Sequence, residues 1–358
     1  MSFFKILVIN PGSTSTKVAV TVNTKLIFLK NIKHSLDEIS KFEKIADQYE
    51  YRKKIILKEL KDADISIAKL DAVIGRGGLL KPIEGGVYQV NDLMVKDIFN
   101  PMGEHVSNLG GIIAREIAKM VGPETPAYIA DPTCMDEMDE VARFSGMPEI
   151  PRLSFLHALN QKATARRFAK EKGKHYEELN LLVCHMGGGI TVGAHRHGRI
   201  VDTNNGLNGD GPFSPERAGG IPSGQLVELC FSGKYSQPEI MHKLKGGGGM
   251  IAYLGTNDMM VIESRIQEGD KNAELVYEAM AYQTAKLIGA MSTVLKGKVD
   301  GIILTGGIAF SEKFVSLICE RINHLGEIAV YPGEDEMMSL AMNCFMVLKG
   351  ELKAKEYK

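Results

Sequence analysis

Short apolar runs rich in β-branched residues alternate along the chain with longer segments in which apolar residues recur every three or four positions. The first pattern predicts strands and the second predicts amphipathic helices. The predicted strands are Lys5–Ile9, Thr16–Val22, Leu26–Leu29, Ala72–Ile74, Ala127–Ile129, Leu181–His185, Thr191–His195, Gly301–Thr305 and Glu327–Tyr331. The predicted helices are Asp37–Glu50, Asn108–Met120, Ser154–Glu171, Asn257–Gln267, Asn272–Leu295, Glu312–Asn323 and Glu334–Lys349. This alternation indicates an α/β fold.

The first two strands enclose a turn rich in hydroxyl groups, in the segment KILVINPGSTSTKVAV from Lys5 to Val20. The segment is not a P-loop, because Thr16 stands where that motif has its second glycine and Val18 where it has a hydroxyl. The β-branched residues after Lys17 predict a strand instead of a helix. The segment therefore predicts a β-hairpin, and both a phosphate-binding turn and a plain polar turn fit this stretch alone.

A second segment repeats this pattern 175 residues later, where LVCHMGGGITVGAH aligns with LVINPGSTSTKVAV. In that alignment Asn10 matches His185, Gly12 matches Gly187 and Thr16 matches Thr191. Two glycine hairpins half a chain apart predict a duplicated domain, in which the turn amides of both hairpins can bind neighbouring phosphates. We expect an N-terminal domain over residues 1–150, completed by a C-terminal helix at about 336–358, and a nucleotide-binding domain over residues 151–335.

Charge, cysteine spacing and the length of apolar runs indicate which partners and which cellular compartment to expect. The 43 basic and 44 acidic residues nearly cancel, which gives no bulk attraction to nucleic acid or to a membrane surface. The five cysteines are scattered without a C-x-x-C pair, as in proteins of a reducing compartment. No apolar run approaches the length of a membrane helix, and the N-terminal apolar run is too short for a signal peptide. We therefore expect a cytoplasmic protein that binds neither nucleic acid nor membrane.

Eight ordered motifs, spread from Lys5 to about Met342, resemble a known family. They are VINPGSTSTK, GRGG, ADPT, FLHALN, VCHMGGG, PERAGG, LTGGI and PGEDE. Together they are similar to the acetate and butyrate kinase family of the sugar kinase, Hsp70 and actin superfamily. The resemblance implies two duplicated domains of the ribonuclease H-like type with an ATP cleft between them. The forms G-R-G-G and D-P-T, where acetate kinases have H-R-V-V-H-G-G and D-T-A-F-H, indicate the butyrate kinase branch.

The resemblance also implies a reaction, in which the γ-phosphoryl group of ATP moves reversibly to a short-chain carboxylate and gives ADP and an acyl phosphate. It implies Mg²⁺ as cofactor and a homo-oligomeric assembly. Two alternatives stay open: a kinase acting on acetate, propionate or a branched-chain acid, and an ATP-gated module of the Hsp70 or actin kind. The nucleophile is a carboxylate that is already ionised at neutral pH, so the site needs cations and hydrogen-bond donors instead of a general base.

The resemblance assigns catalytic roles to six residues. The two arginines would grip carboxylate or phosphoryl oxygens, and the two histidines would donate hydrogen bonds to the phosphoryl group. The asparagine would contact the phosphoryl group or metal-bound water, and the aspartate would serve the metal and the local electrostatics. These residues are Asn10, Arg76, Asp131, His157, His185 and Arg217.

Further residues are implied to bind nucleotide, metal or acyl chain. Ser13, Thr14, Ser15 and Lys17 would line the γ-phosphate, Gly187, Gly188 and Gly189 would wrap the β-phosphate, and Gly306 and Gly307 would hold the adenosine. One acid of PGEDE would serve the metal: gap-free alignment favours Asp335, and Glu334 and Glu336 remain open because all three also suit a helix N-terminus. Gly78, where acetate kinases have valine, would widen the acyl pocket, and a purely backbone role in the turn Gly75–Gly78 stays open as the alternative.

Three other features carry no role in this interpretation. The Lys/Glu pattern of Lys41–Lys61 predicts a solvated helix surface. His195 and His197 are interpreted as turn residues, and Gly246–Gly249 as a flexible connection between two helical segments.

Overall fold

A computed structural model describes residues 3–101, 103–207 and 209–358 of the protein. Its strands, in chain order, are β1 (Lys5–Pro11), β2 (Ser15–Val22), β3 (Lys25–Lys33), β4 (Ala72–Arg76), β5 (Val87–Gln89), β6 (Ala127–Ala130), β7 (Asn180–Met186), β8 (Ile190–Arg196), β9 (Arg199–Thr203), β10 (Gly301–Gly306), β11 (Ile328–Pro332) and β12 (Lys355–Glu356). Its helices are α1 (Leu36–Ile39), α2 (Tyr49–Asp62), α3 (Asp92–Phe99), α4 (Asn108–Val121), α5 (Ala158–Glu171), α6 (Ser223–Cys230), α7 (Gln237–Leu244), α8 (Met250–Leu254), α9 (Met259–Gln267), α10 (Lys271–Val294), α11 (Glu312–Ile322) and α12 (Glu336–Leu348). Among the described helices, none is long and apolar enough to cross a membrane.

The chain forms two compact units. The first comprises the chain up to Asp136 together with Asp335–Lys358, and the second comprises Glu137–Glu334. The division after Asp136 comes 14 residues before the boundary expected from sequence, which was 150. Residues after Asp136 bond within the second unit: Glu137 pairs with Lys162 at 2.8 Å, and the Asp139 amide donates to the Val201 carbonyl at 2.9 Å.

The first unit is built on a seven-stranded sheet in the order β12-β5-β6-β4-β1-β2-β3. Strands β1, β2 and β3 pair antiparallel, whereas β4 is parallel to both β1 and β6. Apolar side chains of β1 and β4 form the core with helices α2 and α4, whose Ile56, Leu60 and Ile113 are fully buried. Helix α12 also packs on β1 and β4, so the C-terminal segment completes this unit.

The second unit has a five-stranded sheet in the order β11-β10-β7-β8-β9 with helices on both faces. Side chains of β7 alternate between the faces, as a strand requires. Leu182 and Cys184 point into the core formed with α10 and α11, while Leu181 and Val183 pack with Phe168 of α5. Such strands are apolar at nearly every position, which explains why their sequence signal was strong.

The two sheets repeat one topology. The order β6-β4-β1-β2-β3 corresponds to β11-β10-β7-β8-β9, and β1 and β7 begin 175 residues apart, at Lys5 and Asn180. One detail of the predicted alignment shifts. Asn10 pairs with Lys17 in the first hairpin, whereas His185 pairs with Thr191 in the second, so the first turn is one residue longer. Lys17, and not Thr16, therefore occupies the strand position of Thr191.

The predicted helix Asp37–Glu50 is wrong. A Ser35 capping box begins the four-residue helix α1, and the long helix α2 starts only at Tyr49. One face of α2 is buried, with Arg52, Ile56 and Leu60 at helical spacing, so the expected solvated surface of Lys41–Lys61 covers only part of this helix.

A contact between glycines sets the distance between α4 and β4. A Cβ atom on Gly75 would lie 2.0 Å from the Gly110 carbonyl oxygen, and one on Gly110 would lie 2.2 Å from the Arg76 carbonyl oxygen. These distances exclude any side chain, so helix and strand touch through their backbones directly beside Arg76.

We expect Gly110→Ala to lower the free energy of unfolding by about 1–3 kcal/mol, because the methyl group forces α4 away from β4. The matched control is Gly289→Ala in α10, where a Cβ atom meets nothing within 4 Å. Alanine is the better helix former, so this control should gain up to about 1 kcal/mol. Urea unfolding midpoints measure both changes, and equal midpoints for the two variants would refute the close contact.

Candidate active site

Polar side chains of the first unit collect where three neighbouring parallel strands end. Asn10 lies near the end of β1, Arg76 ends β4 and Asp131 follows β6. The strands are adjacent and in register, since Ile9 pairs with Gly75 and Arg76 with Ala130. In open α/β sheets this carboxyl edge is where ligands bind.

Glu336, the first residue of α12, joins two of these side chains. Its Oε2 accepts from Asn10 Nδ2 at 2.6 Å and from Arg76 Nη1 at 3.0 Å, and its Oε1 lies 2.9 Å from Arg76 Nη2. The guanidinium is thus held in a bidentate pair, which fixes its orientation.

The other acids of PGEDE have different surroundings. Asp335 is the N-cap of α12, and its Oδ1 accepts from the Met338 amide at 3.0 Å. Glu334 belongs to the second unit, where its Oε1 lies 3.9 Å from His185 Nε2. Of the three acids, Glu336 is the one that contacts predicted catalytic residues of the first unit, whereas Asp335 has the helix-capping function that sequence had left open.

Asp131 is buried and has a backbone φ of 37°, which is uncommon for a residue with a side chain. Its Oδ1 accepts from the Gly86 amide at 2.8 Å, and its own amide donates to the Gly86 carbonyl at 3.0 Å. Backbone held in such a region is over-determined by its surroundings and is frequent at functional sites.

The hydroxyl-rich turn is held from behind by a residue that sequence reasoning missed. Arg52 of α2 is fully buried and donates to the carbonyl oxygens of Gly12 at 2.8 Å, Ser15 at 3.1 Å and Ser13 at 3.2 Å. Burial lowers the pKa of Arg52 to about 10, so the group is still charged at neutral pH. The many lysines of α2 made Arg52 look like another exposed cation. Its helical spacing from Ile56 and Leu60, however, places it on the buried face of the helix.

With its carbonyls turned toward Arg52, the turn leaves Ser13 and Thr14 exposed. Lys17 is exposed on β2 directly opposite Asn10, and paired residues of an antiparallel ladder share one face of the sheet.

Thr16, the residue before Lys17, is buried, and its Oγ1 lies 2.8 Å from His34 Nε2. Burial, with a smaller contribution from Arg52, lowers the pKa of His34 to about 4, so this ring is neutral.

Gly78 does not fit the predicted acyl pocket. A Cβ atom at this position would lie 1.9 Å from Asn108 Oδ1 and 2.5 Å from the Asn108 amide nitrogen. The same Asn108 Oδ1 accepts from the Leu79 amide at 2.6 Å. Glycine is required here because the segment packs directly on the start of α4, which is a backbone role.

Two imidazole rings stack in the second unit. His157, the N-cap of α5, and His185, in β7, have ring centroids 3.8 Å apart and planes inclined by 11°. His157 Nδ1 lies 3.0 Å from Thr191 Oγ1, and His185 Nδ1 lies 2.8 Å from Asn160 Oδ1. The two predicted catalytic histidines are therefore brought together.

Both rings border the triple-glycine turn. A Cβ atom on Gly187 would lie 3.3 Å from His185 Nε2, and one on Gly189 would lie 3.9 Å from His157 Cε1. The turn is tied to the loop that carries Arg217, because Ser214 Oγ donates to the Gly188 carbonyl at 2.6 Å. Histidines, glycine turn and arginine loop thus form one cluster.

Arg217 has an unused donor. Within the described part of the chain its buried Nε has no hydrogen-bond partner, while its Nη1 lies 3.5 Å from Glu216 Oε2.

The predicted flexible connection Gly246–Gly249 packs against the loop that carries Arg217. The Gly246 amide donates to the Glu216 carbonyl at 2.7 Å, and a Cβ atom on Gly249 would lie 1.8 Å from the Ser214 carbonyl oxygen. It is a close-packed support and not a loose linker.

A depression beside Arg217, partly open to solvent, is lined by Ile190, Leu207, Pro212 and Leu244 together with the polar residues Asn205 and Asp210. This mixed lining places apolar surface next to a guanidinium, as a small ligand with one carboxylate and one hydrocarbon end requires.

The diglycine Gly306–Gly307 begins at the last residue of β10 and lies against the end of β7. Gly306 has a φ of 92°, and a Cβ atom there would lie 2.3 Å from the Met186 carbonyl. Gly306 and Gly333 exchange backbone hydrogen bonds of 3.2 and 2.9 Å. A Cβ atom on Gly307 would meet nothing within 4 Å, so this backbone is open.

The interpretation of His195 as a turn residue is wrong. His195 is fully buried in β8, where burial, with Lys162 and Arg166 nearby, holds its pKa well below the usual range. His197, with φ of 49°, does lie in the turn after β8.

No group of three or more His, Cys, Asp or Glu side chains in the described ranges is arranged to hold a metal ion. Asp131 and Glu336 offer carboxylate oxygens at one sheet edge. This donor set fits Mg²⁺ bound with a nucleotide, because that ion keeps several waters and takes one or two carboxylates plus phosphate oxygens.

The comparisons with known proteins agree with this arrangement. Residues 150–346 match the acetokinase family. The chain is 54% identical over 356 residues to butyrate kinase 2 of Clostridium acetobutylicum, with 99% of each protein covered. Acetate kinase of Porphyromonas gingivalis has the same fold, with a TM-score of 0.77 at 18% identity, covering 96% of this chain and 100% of that one. A propionate kinase of Francisella tularensis subsp. tularensis gives 0.73 at 18% identity, covering 95% and 98%. The expected α/β fold of two duplicated domains is confirmed.

We expect Arg52→Met to lower the free energy of unfolding by at least about 1–3 kcal/mol, the cost of one buried acceptor left without its donor. The matched control is Lys54→Met on the same helix, whose exposed side chain should change stability by less than about 0.5 kcal/mol. Urea unfolding measures stability, and hydrogen exchange at Gly12, whose amide bonds to the Ser15 carbonyl, reports the turn. Equal midpoints and equal exchange in the two variants would contradict the supporting role.

Proposed function

The chain belongs to the acetokinase family, and on that premise we propose that it is a butyrate kinase. The enzyme transfers the γ-phosphoryl group of ATP to butyrate and gives butyryl phosphate and ADP, and the reverse direction makes ATP. A carboxylate oxygen of butyrate forms the new bond to the γ-phosphorus as the bond from that phosphorus to the β–γ bridging oxygen breaks. The leaving electron pair stays on ADP, and no proton has to move.

This reaction sets simple demands on the site. The acid has a pKa of roughly 4–5, as acidic side chains do, so it reaches the enzyme already ionised. An anion must then approach a polyanion, and charge spreads over the equatorial oxygens of the group in transfer. Preorganised donors and cations aimed at those oxygens supply the rate enhancement.

The cluster of the second unit supports these roles most directly. The main support for the proposal is the buried Arg217 Nε, a charged donor with no hydrogen-bond partner among the described residues. Arg217 lies on the loop that is bonded to the glycine turn. Arg217 would grip the oxygens of the acid or of the phosphoryl group. His157 and His185, at the same turn, would donate to phosphoryl oxygens.

The first unit carries the other predicted catalytic residues. Asn10 would contact the phosphoryl group or a metal-bound water, and Arg76, oriented by Glu336, would face the carboxylate. We assign the water-mediated metal contact to Glu336 in place of Asp335, with Asp131 as the second carboxylate. When bound, Mg²⁺ neutralises charge on the β- and γ-phosphate oxygens.

The remaining predicted residues would hold the nucleotide. The exposed hydroxyls of the first turn and Lys17 suit the γ-phosphate, the glycine turn of the second unit suits the β-phosphate, and the open Gly307 with Gly306 suits the adenosine. The acyl chain would lie against the apolar residues Ile190, Leu207, Pro212 and Leu244 beside Arg217. A cytoplasmic location and a homo-oligomeric assembly are part of the same proposal.

The first test is an acyl phosphate assay, in which hydroxylamine traps the product formed from ATP and acetate, propionate, butyrate or isobutyrate. We expect the highest kcat/KM for butyrate. Arg217→Ala should lower kcat/KM on the order of 10²–10³-fold, the scale of a lost transition-state donor. Arg217→Lys should recover little of it, since lysine lacks the planar fork.

The matched control for this assay is Arg321→Ala on α11, whose partly exposed side chain lies 3.7 Å from Glu278. It should keep wild-type activity. ATP hydrolysis without hydroxamate from any acid would favour the ATP-gated alternative, and preference for another acid would correct the substrate. Full activity of Arg217→Ala would remove the arginine from the mechanism.

A second test separates Glu336 from Asp335. Glu336→Gln removes a charge at constant shape, and we expect about 10–100-fold more Mg²⁺ to be needed for half-maximal activity, as when an outer partner of a metal site is lost. Asp335→Asn is the control, because asparagine is an equally good N-cap and should leave α12 intact. A normal Mg²⁺ dependence of Glu336→Gln together with a shifted one for Asp335→Asn would reverse the assignment.

A further inference from the structure

A line of polar side chains runs through the second unit and ends on His157. Tyr176 Oη lies 2.7 Å from His195 Nδ1, and His195 Nε2 lies 3.0 Å from Gln161 Oε1. Gln161 Nε2 lies 3.0 Å from Thr191 Oγ1, which lies 3.0 Å from His157 Nδ1. Gln161, Thr191 and His195 are fully buried.

One backbone carbonyl fixes the orientation of the Gln161 amide in this line. Gln161 Nε2 also lies 3.2 Å from the Thr191 carbonyl oxygen. A carbonyl oxygen can only accept, so the amide nitrogen, with its two hydrogens, must face Thr191. The amide oxygen then faces His195, where it accepts a hydrogen bond.

His195 must therefore carry a proton on Nε2. Complete burial, with Lys162 and Arg166 nearby, keeps this ring neutral, so it has one donor and one acceptor nitrogen. With Nε2 as the donor to Gln161, Nδ1 is the acceptor for the Tyr176 hydroxyl. The tautomer of His195 thus agrees with the amide orientation.

The Thr191 hydroxyl connects the Gln161 amide to His157 in the candidate active site. Its oxygen accepts from Gln161 Nε2, which leaves its own hydrogen for His157 Nδ1. A neutral His157 then has its lone pair on Nδ1 and its proton on Nε2. The edge of this ring, at Cε1, lies 3.9 Å from a Cβ position on Gly189, so it faces the glycine turn.

We propose that Gln161, Thr191 and His195 are positioning residues that hold His157 in the tautomer with its hydrogen on Nε2. This inference rests on the proposed function, in which His157 donates to the transferring phosphoryl group. The opposite tautomer would direct a lone pair at phosphoryl oxygens and repel them. Loss of a tautomer-fixing partner is known to be costly in histidine catalysis, even where the geometry of the site survives.

The direct test is ¹⁵N NMR of the imidazole nitrogens in the ligand-free enzyme, which distinguishes a protonated nitrogen from a bare one. The His157 signals are identified by their absence from His157→Gln. We expect Nε2 to be protonated and Nδ1 to be bare in the wild-type enzyme. A proton on Nδ1 of wild-type His157 would overturn the proposal without any variant.

The paired variants are Thr191→Val and Thr191→Ser. Valine keeps the shape and removes the hydroxyl, so we expect a mixture of His157 tautomers and a fall in kcat of about 10–100-fold, the scale seen when an outer partner of a functional histidine is lost. Serine keeps the hydroxyl and should restore both the tautomer and most of kcat.

The control is Thr284→Val in α10, where a buried threonine donates to the Met280 carbonyl. It should change neither the NMR signals nor kcat. A single unchanged tautomer in folded Thr191→Val would refute the positioning role, and so would loss of kcat in Thr191→Ser equal to that in Thr191→Val. Failure of the proposed function would look different: the wild-type enzyme would form no acyl phosphate, whatever the tautomer of His157.

Discussion

The parallel pairing of β1 with β4, and of β7 with β10, is the constraint on which the rest of this structure depends. In each unit the first strand of a hairpin is joined to a strand that arrives through a helical crossover. Their carboxyl ends therefore fall at one edge of the sheet, together with the hairpin turn. Asn10 and Arg76 meet in this way in the first unit, and His185 and Gly306 end neighbouring strands in the second.

The two units share one topology but place different residue types at the carboxyl edge of the sheet. In the first, charged and amide groups pair with one another, and Glu336 ties Asn10 to Arg76. In the second, two stacked histidines and bare glycine backbone lie together with the loop that carries Arg217. Fixed charge and close backbone approach are both useful in phosphoryl transfer.

In both units, buried polar side chains form hydrogen bonds to residues at the turn. Arg52 holds the carbonyl oxygens of the hydroxyl-rich turn, and the line from Tyr176 to Thr191 holds His157 at the glycine turn. Each support contacts residues of the predicted site from the protein interior. Both are networks of buried polar groups, in which hydrogen bonds are stronger than in water and restrict the groups they hold.

Sequence alone determined the α/β class and the duplication and named the candidate site residues, because apolar strands, glycine turns and ordered motifs are local patterns. It could not determine contacts between distant segments. Gly78 resembled a pocket residue until Asn108 was found 1.9 Å from its Cβ position, and the choice among Glu334, Asp335 and Glu336 needed the start of α12. His195 and Arg52 were missed for the same reason: a polar residue in a strand or a Lys-rich helix reveals its burial, and hence its partners, only when the sheet is assembled.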